Sequence, residues 1–115
     1  MAVSMTMPIL IVDDYNTMIR ILRNLLRQLG FSNIDEANDG AAALAKMRTK
    51  DYALVISDAN MGLQSSVRGD ARMSKTPIVM VANDNGAAPD AAAYIVAPFN
   101  AQALKSKLVS VIGAF

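Results

Sequence analysis

Three aspartates draw attention because each stands at the end of a short apolar run. Asp13 and Asp14 close Pro8-Ile9-Leu10-Ile11-Val12, and Asp58 follows Tyr52-Ala53-Leu54-Val55-Ile56-Ser57. If the two runs are neighbouring strands, three carboxylates gather within a few ångströms. Like charges that close repel by on the order of several kcal/mol at an effective dielectric of about 20. A divalent cation relieves that repulsion, and magnesium suits such donors because it is a hard ion that takes few carboxylates and leaves positions for phosphoryl oxygens. The same grouping can make one aspartate a nucleophile toward a phosphoryl group. A structural reading competes for each residue taken alone: acids after a strand also accept hydrogen bonds from the first turn of a helix and favour its positive end. Asp58 by itself reads equally as a turn residue. Only the joint spacing favours the cluster.

Composition narrows the chemistry further. The chain has no Cys and no His, which excludes thiol catalysis, disulfides, Cys/His zinc sites and histidine acid-base chemistry. A formal net charge of +1 supplies no strong field for nucleic acid or anionic membrane. No apolar run approaches the roughly 20 residues of a membrane span, and the start, Met1 to Met7, lacks the charged lead and apolar core of a secretory signal. A cytoplasmic location is the expectation. With 115 residues, 53% hydrophobic and 18% charged, the chain is expected to fold as one globular domain over 1–115, with little left for a second.

The elements that must position the acids follow from periodicity. Pro8–Val12, Tyr52–Ile56, Pro77–Val81 and Tyr94–Val96 are continuous apolar runs of the kind buried on both faces of a parallel sheet. Asn33–Ala37 is polar enough for an edge strand. Between Asn16 and Leu29, Met18, Ile21, Leu22, Leu25, Leu26 and Leu29 recur at helical spacing against three arginines, with Gly30 as C-cap. Asn38-Asp39-Gly40 can cap a helix over Ala41–Met47, and Ala101–Ile112 is a final amphipathic helix. The stretch 62–76 holds a helix of at most a few turns, and 83–92 shows no amphipathic face. Strands alternating with helices imply a doubly wound α/β sheet with ligands at the carboxyl ends of its strands, where all three aspartates fall.

Ile9 to Asp14, Asn24-Leu25-Leu26-Arg27-Gln28-Leu29-Gly30-Phe31, Glu36-Ala37-Asn38-Asp39-Gly40-Ala41-Ala42-Ala43-Leu44 and Val55-Ile56-Ser57-Asp58-Ala59-Asn60-Met61 together resemble the chemotaxis-type (CheY-like) receiver domains of response regulators. The resemblance covers most of the chain. It implies a flavodoxin-like five-stranded parallel sheet of order 2-1-3-4-5, here with the third and fourth helices shortened. It implies Mg2+ on Asp13, Asp14 and Asp58 with the backbone carbonyl of Asn60, and Asp58 as phosphoacceptor for a histidine kinase or phosphotransfer protein in a stand-alone receiver. A downstream target protein is a further implied partner. Tyr94 matches the family's aromatic switch position, with packing on the last helix as the plain alternative. Two positions depart from the pattern: the family's Thr/Ser is Ala82 and its Lys is Ala97, before Pro98 and Phe99. Both departures remove contacts to a phosphoryl group and imply weakened switching. Pro98 is expected to keep a cis bond. The competing class is a small metal-dependent phosphatase or hydrolase on a similar sheet, which would need a general acid or base that the surroundings of the acids do not offer.

Overall fold

Nearly continuous apolar runs have no polar face to show to water, so they must be covered on both sides, and the chain does this by winding helices over the two faces of a parallel sheet. A computed structural model describes residues 3–59, 63–82 and 93–115. In chain order it contains β1 (Ile9–Val12), α1 (Asn16–Gln28), β2 (Ile34–Ala37), α2 (Gly40–Thr49), β3 (Leu54–Asp58), α3 (Leu63–Arg68), β4 (Ile78–Ala82), β5 (Ala93–Val96) and α4 (Ala101–Ile112). The strands form one parallel sheet in the order β2-β1-β3-β4-β5, as expected.

Alternation of side chains along the strands splits the core in two. Ile9 and Ile11 of β1, Leu54 and Ile56 of β3, and Val79 and Val81 of β4 pack with Ile19, Leu22 and Leu26 of α1 and Leu104 and Leu108 of α4. On the other face, Leu10, Val12, Val55, Ile78 and Met80 pack with Ala43 and Met47 of α2 and Leu63 and Val67 of α3. Burying each large aliphatic side chain contributes about 1.5–3 kcal/mol. The register is therefore strongly specified, since a slip by one residue would send each core set to the wrong face.

Helix ends follow their sequence signals in part. Asp39 caps α2, its Oδ1 accepting from the Ala42 N–H at 2.7 Å, and Asn100 caps α4 in the same way through the Ala103 N–H at 2.8 Å. After α1, Gly30 adopts φ 109°, and the Phe31 and Gly30 amides bond back to the carbonyls of Leu26 and Arg27. This is a Schellman turn. The backbone conformation requires glycine, and a Cβ at Gly30 would also meet Met5 Sδ at 2.9 Å.

Boundaries differ from expectation: β3 is Leu54–Asp58 where Tyr52–Ile56 is expected, and β4 is Ile78–Ala82 where Pro77–Val81 is expected. β3 runs through Ser57 and Asp58, because Ser57 pairs with both Val12 and Met80 and Asp58 pairs with Val81. α2 extends past Met47 to Thr49. The third crossover holds only the six residues of α3, after which Arg68 donates to the carbonyls of Ser74 and Thr76 and braces the loop leading to β4. The expectation for the fourth crossover, 83–92, lies outside the described residues. No helix among them is long and apolar enough to cross a membrane.

Polar ties fasten the edge strand β2. Asp35 accepts from Tyr52 Oη at 2.6 Å and Lys50 Nζ at 2.9 Å, while Glu36 pairs with Arg23 of α1. The Tyr52 and Lys50 hydrogen bonds hold the Asp35 carboxyl below its ordinary value. The ionised form is thus the one the fold favours, and its contribution is present above the unfolded value of 3.8 and lost as pH falls through the lower folded value. Asp35→Asn should cost about 1 kcal/mol at pH 7, discounted for the partly exposed pair. Urea unfolding at decreasing pH should show the difference shrinking once pH drops below 3.8; a constant difference would remove Asp35 ionisation as its source.

Candidate functional site

Parallel pairing sets Val12 beside Ser57, so the residue after each stands at the same sheet edge. Asp13, which follows β1, and Asp58, which ends β3, are thereby neighbours, and Asp14 joins them from the start of the loop to α1. One carboxylate oxygen from each of the three lies within 4.8 Å of the others. Asp13 is only 4% exposed, Asp58 is partly buried and Asp14 faces solvent.

Neither Asp13 nor Asp14 is the N-cap residue of α1. The N-cap of α1 is Tyr15, without a side-chain cap, and the Asp13 carboxylate accepts instead from the Tyr15 N–H at 2.8 Å. Burial pushes the Asp13 carboxyl above the ordinary carboxylate value; the Tyr15 N–H works against this, and the nearby Asp58 and Asp14 charges add to the rise. Ser57 is fully buried and its hydroxyl donates to the Asp58 carbonyl at 3.1 Å, bracing the strand end. A contact that sequence reading missed lies alongside: Asn38 Nδ2 donates to Asn16 Oδ1 at 2.7 Å, tying the loop before α2 to the start of α1. Both residues look like ordinary cap or turn residues in sequence, and nothing there signals their pairing.

Ala82 and Ala97 are placed side by side, the Ala97 N–H donating to the Ala82 carbonyl at 2.8 Å, and the Ala97-Pro98 bond is cis. Tyr94 is 36% exposed with Lys107 Nζ of α4 6.0 Å from its ring centre, which agrees with packing on the last helix. The apolar stripe of α1 divides. Leu22 and the unanticipated Ile19 are core, Met18 is partly buried, and Ile21 is 43% exposed. Met18 and Ile21 line a cleft of about 290 Å³ with Ala97, Pro98 and Phe99, and Phe99 also packs against the core. Asn60 falls outside the described residues.

A buried aspartate, two further acids at strand ends and a doubly wound sheet of order 2-1-3-4-5 define a phosphorelay receiver of two-component signalling. The chain belongs to the response regulator receiver domain family, whose model matches residues 9–109. It is 40% identical to the chemotaxis protein CheY of Pseudomonas aeruginosa, over 89% of this chain and 93% of that one. It is 41% identical to the chemotaxis protein CheY-3 of Vibrio cholerae, over 89% of this chain and 88% of that one. Among solved structures, the response regulator CheY4 of Vibrio cholerae superimposes with a TM-score of 0.78 at 27% identity, covering 90% of this chain and 96% of its own. The receiver domain of a Pseudomonas aeruginosa sensor histidine kinase, solved with a magnesium ion coordinated in its active-site cleft, shares the fold with a TM-score of 0.84 at 19% identity, covering 95% and 99%.

If repulsion dominates this cluster, relieving it must stabilise the metal-free protein. Asp14→Asn should raise stability in chelator by about 1 kcal/mol, and Asp58→Asn should move it in the same direction. Thermal unfolding in EDTA reads the effect, and a lower melting temperature for both would assign the acids to bracing rather than to a cluster under electrostatic stress.

Proposed function

We propose that Asp58 accepts a phosphoryl group from a histidine kinase or phosphotransfer protein, at a magnesium site formed by Asp13, Asp14, Asp58 and the backbone carbonyl of Asn60. The observation that carries this is the convergence of three carboxylate oxygens within 4.8 Å at the carboxyl ends of β1 and β3. The donor set fits the ion: three hard carboxylate oxygen ligands and an open side at exposed Asp14. When bound, the ion supplies positive charge facing the phosphoryl oxygens. Asp58 supplies the nucleophilic oxygen, so the P–N bond of the donor phosphohistidine breaks as a P–O bond to Asp58 forms. Asp13, held by the Tyr15 N–H, keeps its carboxylate aimed at the site. Residues 1–115 act in this reading as one receiver domain, a signalling acceptor in the cytoplasm rather than an enzyme that turns over a free substrate.

The cleft of Met18, Ile21, Ala97, Pro98 and Phe99 gives apolar side chains of a docking donor a seat between α1 and the turn after β5. A downstream target would respond only weakly to phosphorylation. Ala82 supplies no hydroxyl and Ala97 no cation, and a charge-assisted hydrogen bond of about 1.5–3 kcal/mol lost at Ala97 alone lowers the differential stabilisation of a phosphorylated state roughly 10- to 100-fold. A two-state equilibrium moves only as far as that differential permits.

Transfer is tested with a radiolabelled phosphohistidine donor and magnesium: label should pass to the wild type and fail to pass to Asp58→Asn or in EDTA, and undiminished labelling of Asp58→Asn would end the assignment. Switching is tested separately with beryllofluoride and magnesium. Amide shifts should stay near the acids in the wild type and reach Tyr94 and α4 only after Ala82→Thr with Ala97→Lys. Large shifts at α4 in the wild type would instead place the chain among ordinarily switched receivers.

A further inference from the structure

At the opposite end of the sheet, away from the aspartates, a cavity of about 400 Å³ opens between the end of α2 and the loop joining α3 to β4. Its base is apolar, formed by the buried Met47, Tyr52 and Met73. Its walls carry Lys50, Arg72 and Lys75 against one acid, Asp51. One wall is braced from behind, since Arg68 binds the carbonyls of Ser74 and Thr76 and Arg72 donates to the carbonyl of Arg48 across the opening.

The charges there are only loosely satisfied. Arg72 bonds to Asp51 Oδ1 at 2.9 Å, but the Asp51 side chain is 87% exposed, so the pair contributes about 0–1 kcal/mol and can yield to another acceptor. Lys50 shares Asp35 with the Tyr52 hydroxyl, which leaves part of its charge and two of its donors for a second anion. Lys75 is exposed and has no ion pair among the described residues. Two lysine point charges and a guanidinium fork converging above an apolar base match a compact anion joined to an apolar body. The volume lies in the range of small-molecule sites, about 300–1,000 Å³, and is too small to seat a helix.

We propose that this cavity binds a small organophosphate, with the phosphate on Lys50, Arg72 and Lys75 and the apolar body on Met47, Tyr52 and Met73. Neither the acid cluster nor phosphoryl transfer is needed for it, so the two assignments stand or fall separately.

Adenosine monophosphate is the probe, with adenosine as the uncharged control, titrated into the full chain at constant ionic strength while the amides of 47–52 and 72–76 are followed by NMR. Saturable shifts confined to those amides are expected, with half-saturation below about 1 mM and no response to adenosine. Lys75→Ala, which removes no structural contact, should weaken binding about 3- to 10-fold. Asp51→Asn removes the competing acceptor and should tighten binding about threefold, a direction that damage to the fold would not produce. Shifts that rise linearly to about 10 mM, an equal response to adenosine, or affinities unchanged in both variants would overturn the proposal.

Discussion

Gathering three carboxylates within 4.8 Å is unfavourable in itself, and the core enforces it. The register that buries Ile9 through Val12 against Leu54 through Ile56 sets Val12 beside Ser57, and the acids that follow have no freedom to separate. Moving one strand by a residue to spread the charges would send Ile9 and Ile11 to the face that holds Leu10 and Val12 and unpack both core sets. Hydrophobic burial therefore holds an electrostatically strained site in place. Local groups moderate the strain without removing it: the Tyr15 amide faces Asp13, and Asp14 remains in water.

The acids and the two alanines stand on different strands. Asp13 and Asp14 follow β1 and Asp58 ends β3, whereas Ala82, Tyr94 and Ala97 lie in β4, β5 and the turn after β5. The two substitutions meet at one point, joined by the Ala97 N–H to Ala82 carbonyl bond. One small patch thus carries two methyl groups and neither a hydroxyl nor a cation from these positions. The apolar cleft includes Ala97 itself, whose methyl group adds surface beside Met18 and Ile21.

Features written in contiguous residues were the readable ones. β1 and β4 declare themselves because central parallel strands are apolar throughout, and the Asp39 cap and Gly30 stop carry local signals with a direct backbone cause. The end of β3 was misread by two residues because Ser57 and Asp58 look like an exit to solvent, while backbone pairing to Val12 and Val81 keeps them in the sheet. The meeting of Asp13, Asp14 and Asp58 was foreseeable only by joining two strand ends through a topology. Contacts between residues that are each unremarkable stayed hidden: Asn16 with Asn38, and Asp35 with Lys50 and Tyr52, depend on loop paths that no local pattern encodes. The basic cavity was hidden for the same reason, its lining being drawn from two separate stretches of chain.

The Schellman turn at Gly30 has a consequence for how this chain can change over generations. Any other L-residue there would meet an unfavourable φ of 109° whatever stands at position 5, and its Cβ would also have to displace the Met5 side chain. Because the Ser32 N–H also donates to the Met5 carbonyl, the N-terminal segment acts as a clasp on the α1–β2 corner, and its sequence drifts at the pace that corner allows.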